Sequence, residues 1–146
     1  LGVRVVNSRT GLVVGAGAPF LKPLLRQNRL FAGGPLGSGK QWWPWVHIAD
    51  FVGAMRFALE NEIVHGPMNV TSPSPARQRD FAKTLARVLS RPSIAWVPAI
   101  AIRLVLGEMA NEVLTSKRVL PVVLRKAGYE FRYEDLENAL RQALGD

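Results

Sequence analysis

The chain has 146 residues, a net charge of +8, 48% apolar side chains and 21% charged ones, enough for a folded unit with a buried core. It has no cysteine and two well-separated histidines, which exclude disulfides and thiolate metal sites, and no metal site is expected. No apolar run approaches the about 20 residues that span a bilayer and no leader pattern opens the chain, so the expectation is a soluble, cytoplasmic protein with no membrane partner.

Charge is placed unevenly. Residues 1–49 carry Arg4, Arg9, Lys22, Arg26, Arg29 and Lys40 and no acid, Asp50 being the first. That segment holds six of the eight excess positive charges, a local field that attracts anions. One reading is a solvated face whose acidic partners lie elsewhere. The other is a non-enzymatic interaction module whose basic N-terminal third docks an acidic partner, which salt would weaken steeply.

Val3-Arg4-Val5-Val6-Asn7 reads as a strand of the kind buried on both faces of a parallel sheet. Such a strand needs partners reached through crossovers. Too few strand candidates follow it, so the chain reads as the C-terminal part of a longer protein. A Gly-rich loop is expected over 11–19. Leu21, Leu24, Leu25 and Leu30 give a short helix within 20–31, and 42–48 runs extended past Pro44. Asp50 suits the N-cap of a helix whose Phe51, Met55 and Leu59 face the core.

Met68-Asn69-Val70 makes a short strand after the Gly66-Pro67 break. Ser74-Pro75 reads as a cap with proline at the first helical position, opening a helix with Phe81, Leu85, Val88 and Leu89 on one face. Ile94 to Val97 reads as a strand, and Pro98 to Leu106 as a helix closed by Gly107. Residues 108–127 read as helical with a break near Ser116 or Pro121. An amphipathic helix over 133–144 closes the chain, with Glu134 and Asp135 at its start and Arg141 near its end matching the helix dipole. The fold class is α/β, with few short strands and several helices.

Residues 34–41 match the phosphate-loop pattern G-x-x-x-x-G-K-[ST] except at the last position, where Gln41 stands. The missing hydroxyl is the one that holds magnesium. Trp42-Trp43-Pro44-Trp45 follows where a helix N-terminus should face the phosphates, so a phosphate-loop nucleotidase is set aside. Gly15-Ala16-Gly17-Ala18-Pro19-Phe20 starts like a dinucleotide turn but ends in phenylalanine and reads as a flexible turn. His47 is a candidate acid or base, although an apolar strand favours a hydrogen-bonded core histidine there. Strand alternation puts Trp43 and Trp45 on one face and Trp42 on the other, one set in the core and one free to line a cleft. Lys40 is the only cation near them in sequence, too few for a nucleic-acid platform, and no nucleic-acid partner is expected. No nucleophile triad, metal-spaced cluster or carboxylate pair emerges, and no catalytic residue is assigned.

Several segments, taken in order, resemble one family. They are 7–15 (NSRTGLVVG), 34–39 (GPLGSG), 45–50 (WVHIAD), 66–71 (GPMNVT), 107–110 (GEMA), 118–121 (RVLP) and 127–129 (AGY) with the closing helix. This order is similar to that of epimerase-like atypical short-chain dehydrogenase/reductases, including their C-terminal domain of unknown function. The resemblance implies the C-terminal portion of an NAD(P)-binding Rossmann-type protein. Residues 1–74 would be the end of the Rossmann sheet with substrate-side loops, and 75–146 a mainly helical C-terminal domain. It implies an NADP(H)-dependent, nucleotide-sugar-epimerase-like oxidoreductase whose cofactor is held mainly by a preceding part. The family's Tyr-x-x-x-Lys pair is lacking here, since Tyr133 follows Tyr129 by four residues and Glu137 follows Tyr133. These residues alone are therefore expected not to catalyse. The resemblance assigns Arg9, Thr10 and Gly11 to the nicotinamide end of the cofactor and Lys40, Gln41, Trp45 and His47 to the substrate cleft. It implies a small-molecule substrate, of the nucleotide-linked sugar kind, and leaves homo-oligomerisation open.

Overall fold

The computed structural model describes residues 2–145; Leu1 and Asp146, the outermost positions of the two expected parts, lie outside them. The β-branched run near the start feeds β1 (Val6–Thr10), and β2 (Leu12–Val14) follows after a single residue, Gly11. The first strand thus lies later than the expected 3–7, and the expected loop over 11–19 gives its first residues to β2. β1 pairs in parallel with β5 (Gly66–Val70), and β2 in parallel with β4 (Trp45–His47). Gly11 is where the path changes partners. Its N–H donates to Val70 O at 3.1 Å, and the Leu12 N–H donates to Pro44 O at 2.7 Å. A Cβ at Gly11 would lie 2.7 Å from that Pro44 oxygen, so only glycine lets the backbones approach this closely. A third, antiparallel pair joins β3 (Trp42–Trp43) to β6 (Ala76–Arg77).

Alternation along β2 and β4 divides the interior into two cores. Val14 and Trp45 belong to one, Val13 and Val46 to the other. The first core joins Trp43 and Trp45 to Leu21 of α1 (Leu21–Arg29), Phe81 and Leu85 of α3 (Gln78–Val88), Ile102 of α4 (Ala99–Leu106) and Leu140 of α7 (Leu136–Leu144). Phe20, Trp43 and Phe81 meet edge to face at centroid distances of 5.4, 5.7 and 5.5 Å. Each such contact adds about 0.5–1.5 kcal/mol beyond the area it buries.

The second core lies under α2 (Ile48–Glu60), where Ala54 and Ala58 join Met68, Val70 and, from α6 (Val122–Lys126), Leu124. The buried stripe of α2 is Asp50, Ala54 and Ala58. Phe51 and Met55 flank it half-buried, while Leu59 is 78% exposed, against the expected stripe. Small side chains bring the helix close to the strands, and the larger ones are pushed to its sides. Arg4 closes the far end of α2, its guanidinium donating to the carbonyls of Ala58, Leu59 and Val64 at 2.7, 3.1 and 2.7 Å.

Several local expectations change. His47 rather than Asp50 caps α2, its Nδ1 accepting from the Ala49 N–H at 3.2 Å. α3 starts at Gln78, because residues 76–77 pair as β6 and leave Ser74-Pro75 in a loop. The segment 94–97 forms no strand and makes one bridge, from Val97 to Leu36. The first strand, expected to be buried on both faces, is largely exposed, and the closing helix, expected over 133–144, starts at Leu136. α4 ends at Gly107 with φ 54°, a 3-10 turn (Gly107–Met109) and α5 (Ala110–Leu114) follow, residues 115–121 are irregular, and Asp135 caps α7. The whole is α/β, with few short strands and several helices. Among the described residues no helix is long and apolar enough to cross a membrane.

Candidate functional site

Parallel strands that end side by side leave a crevice beyond their carboxyl ends, where α/β proteins bind ligands. β1 and β5 end together here, Thr10 opposite Val70. The irregular segment 115–121 lies beside them as a strap. The Trp42 N–H donates to Ser116 Oγ at 3.0 Å and the Lys117 N–H donates to Trp42 O at 3.1 Å. Thr71 Oγ1 donates to Val119 O, and Asn69 Nδ2 to Leu120 O, both at 3.4 Å. Between strap and strand ends is a cleft of about 650 Å³ whose charged lining is Arg9, Lys117 and Arg118, with no acid. Lys117 pairs with Glu112 at 3.0 Å. Arg9 and Arg118 have no ion-pair partner among the described residues.

Arg9, Thr10 and Gly11 all line this cleft. None of Lys40, Gln41, Trp45 and His47 does, and Gln41, Trp45 and His47 are buried. Gln41 is 5% exposed, with its Nε2 donating to Leu36 O at 3.0 Å. Trp45 is fully buried and its Nε1 donates to Ser74 O at 2.9 Å. Their polar atoms are spent on holding loops together. Lys40 is exposed. Of the six basic residues of 1–49, Lys22, Arg26 and Arg29 lie on α1, Arg9 on β1 and Lys40 in a loop, while Arg4 is engaged at the end of α2.

His47 belongs to a buried polar centre at the start of α2. Because Nδ1 accepts from Ala49, Nε2 carries the proton and donates to Gln142 Oε1 at 2.7 Å. Its ring lies 4.0 Å from that of Tyr133. Burial lowers the His47 pKa, partly opposed by the Gln142 hydrogen bond and the Asp50 charge. Asp50 is fully buried, and its carboxylate accepts from the Arg132 and Tyr133 N–H groups at 2.7 and 2.9 Å. Tyr129 donates its hydroxyl to Asp50 O at 3.1 Å; burial first, and then the Asp50 charge and hydrogen bond, push its pKa up to about 12. A neutral histidine and a phenol held protonated, both fixed by protein groups, form an anchor for the segment 129–133.

Residues 2–71 match the family model described as the NAD dependent epimerase/dehydratase family, and residues 97–143 match a domain of unknown function (DUF1731). An epimerase family protein of Staphylococcus aureus is 40% identical over 144 residues, covering 99% of this chain and 48% of that protein. The crystal structure of the human epimerase family protein SDR39U1 (isoform 2) with NADPH superposes with a TM-score of 0.93 at 34% identity, over 99% of this chain and 49% of that one. The chain belongs to the epimerase family. It spans about half the length of the curated epimerase-family relatives it matches. A nucleoside-diphosphate sugar epimerase from Corynebacterium glutamicum shares the fold at a TM-score of 0.71 and 29% identity, over 99% of this chain and 27% of that one. Within this epimerase-family frame, sequence reasoning missed Lys117 and Arg118. They stand in or beside the Arg118-Val-Leu-Pro121 segment that carries the resemblance, but nothing local marks them as neighbours of Arg9.

Proposed function

We propose that this chain is the substrate-side part of an NADP(H)-dependent, nucleotide-sugar-epimerase-like oxidoreductase, and that the cleft of Arg9, Lys117 and Arg118 takes the anionic groups of its nucleotide-linked ligand. One observation carries the reading: cations without ion-pair partners, Arg9 and Arg118, gather at the carboxyl edge of a parallel strand pair. Guanidinium forks suit phosphate oxygens. The donor set of Arg9, Thr10 and the second amide N–H of Asn69 offers hydrogen bonds to an anion, so the residues present fit a nicotinamide dinucleotide or a nucleotide sugar. Arg9, Thr10 and Gly11 would face the nicotinamide end of the cofactor, and Arg118 with Lys117 would hold the substrate's phosphates. A bound nicotinamide supplies hydride exchange with a carbon–oxygen centre. The residues of this chain bind and orient, residues 1–74 closing the sheet and 75–146 supplying the strap. The NADPH in the human relative's structure supports the cofactor class, and the nucleoside-diphosphate sugar epimerase supports the substrate class.

Calorimetric titration with uridine diphosphate tests this. Saturable binding is expected that weakens about tenfold or more in Arg118→Gln, the loss of one charge-assisted hydrogen bond. Absence of saturable binding at millimolar ligand overturns the reading. Turnover of a nicotinamide cofactor by these 146 residues alone would overturn the assignment of catalysis to another part of the protein.

A further inference from the structure

α4 is an apolar helix that gives little to the core, Ile102 being its one buried residue. Beside it, towards α1 and β3, lies a cavity of about 330 Å³ whose lining includes Phe20, Leu24, Leu36, Trp43, Ile102 and Val113 and no charged side chain. The polar groups there are already engaged. Gln27 spends its Nε2 on Ala32 O at 2.7 Å, and Trp43 spends its Nε1 on Val113 O at 3.0 Å. Main-chain bonds keep the space open. Residues 95–97, which lead into α4, are pinned to the glycine-rich loop whose sequence looks like a phosphate loop. The Ala95 N–H donates to Gly33 O and the Val97 N–H to Pro35 O, both at 3.1 Å, and the Gly37 N–H donates to Val97 O at 2.8 Å. Phe20 and Trp43 are braced against Phe81. Walls held in this way do not collapse inward, and side chains that face a void forgo dispersion contacts that a guest of matching chemistry restores.

We infer that this cavity is a binding site for an uncharged apolar molecule about the size of two fused rings. An apolar cavity of about 150 Å³ stays dry and takes up benzene, and this one has about twice that volume. A charged ligand is excluded, because burying its charge among these walls is costly and nothing in the lining pairs with it. A docking helix is excluded by size, since it presents several anchors spaced along a groove and this cavity holds a single group. The lining shares no residue with the strand-end cleft, so the site stands whether or not that cleft takes an anion. The two lie on either side of β3: the Trp43 side chain lines the cavity, while the Trp42 main chain bonds the strap.

Titration of the 146-residue chain with naphthalene, followed by methyl NMR, tests this. Saturable binding is expected, with ring-current shifts at the methyl groups of Leu24, Leu36, Ile102 and Val113. Val105 lines the mouth of the cavity and is 81% exposed, so Val105→Trp narrows the entrance without disturbing the core, and it should weaken binding about tenfold or more. Ile100 and Leu104 are exposed on the same helix but do not line the cavity. Replacing both with serine should leave binding within about twofold and so separates the cavity from general surface adsorption. 1-Naphthoate should bind at least about tenfold more weakly than naphthalene. No saturation at the solubility limit of naphthalene overturns the inference, as does saturation without shifts at those four residues. Binding lost in the double serine variant but kept in Val105→Trp also overturns it, and naphthoate binding as tightly as naphthalene overturns the uncharged class. Naphthalene binding that falls as the protein is concentrated, with a dimer in sedimentation, assigns the mouth to a second copy of the chain and overturns it too.

Discussion

Replacing Asp50 with asparagine isolates the anchor between the two ends of the chain. The carboxylate is fully buried and accepts two main-chain N–H groups, from Arg132 at 2.7 Å and Tyr133 at 2.9 Å. Asparagine offers one accepting oxygen, so its amide NH2 must face the other N–H. The variant then loses one charge-assisted hydrogen bond and strands one buried donor, together about 2–4 kcal/mol. At this chain length that is about 5–15 °C in midpoint temperature. Asp50→Ala, which leaves both donors unmet, should cost about 3–5 kcal/mol. Urea unfolding followed by tryptophan fluorescence measures both, and hydrogen exchange at the Arg132 and Tyr133 amides should accelerate in both variants. A loss below about 1 kcal/mol in Asp50→Asn, with those amides still protected, would mean that the segment is held by packing alone and would refute the reasoning.

Burial holds the pKa of folded His47 below its ordinary 6.5, so the unfolded chain takes up the proton first. Stability should therefore be flat above about pH 6.5 and fall as pH drops from there through the folded pKa, levelling off below it. His47→Asn keeps a capping acceptor and should remove this slope; equal urea midpoint slopes in the two proteins between about pH 5 and pH 8 would contradict it. A Cβ at Gly34 would fall 1.7 Å from the Ala95 carbonyl oxygen. Gly34→Ala must displace the 95–97 segment and should cost about 1–3 kcal/mol or more in urea unfolding. Gly2→Ala, with open space around it, should stay within about 0.5 kcal/mol as the control.

Local signals hold where nothing distant competes with them. Gly107 after an apolar run marks a helix end because cap chemistry is local. Asp50 carries a local signal for an N-cap, yet its carboxylate is drawn to N–H groups 82 and 83 positions away, and His47 takes the cap. Ser74-Pro75 loses its helix start for a similar reason, since Ala76 and Arg77 find strand partners in Trp43 and Trp42. β2 was hidden because three residues between glycines show no period until β4 pairs with them. Arg9, Thr10 and Gly11, which the resemblance singles out, stand at the end of β1 and line the cleft. Lys117 and Arg118 come from a segment of no regular structure, joined to Trp42 by the Ser116 hydroxyl and the Lys117 N–H across more than 70 positions, which no local pattern encodes.

The division of the interior by β2 and β4 has a consequence for how the chain acquires its structure. The first core needs Val14 and Trp45 from the early strands and Ala139, Leu140 and Ala143 from the last helix, and His47 meets Gln142 across 95 positions. Contacts of such separation must await closure of long loops, which slows folding. During synthesis the part of this core that Ala139, Leu140 and Ala143 cover therefore stays open until α7 has left the ribosome, an interval in which a chaperone would find its substrate.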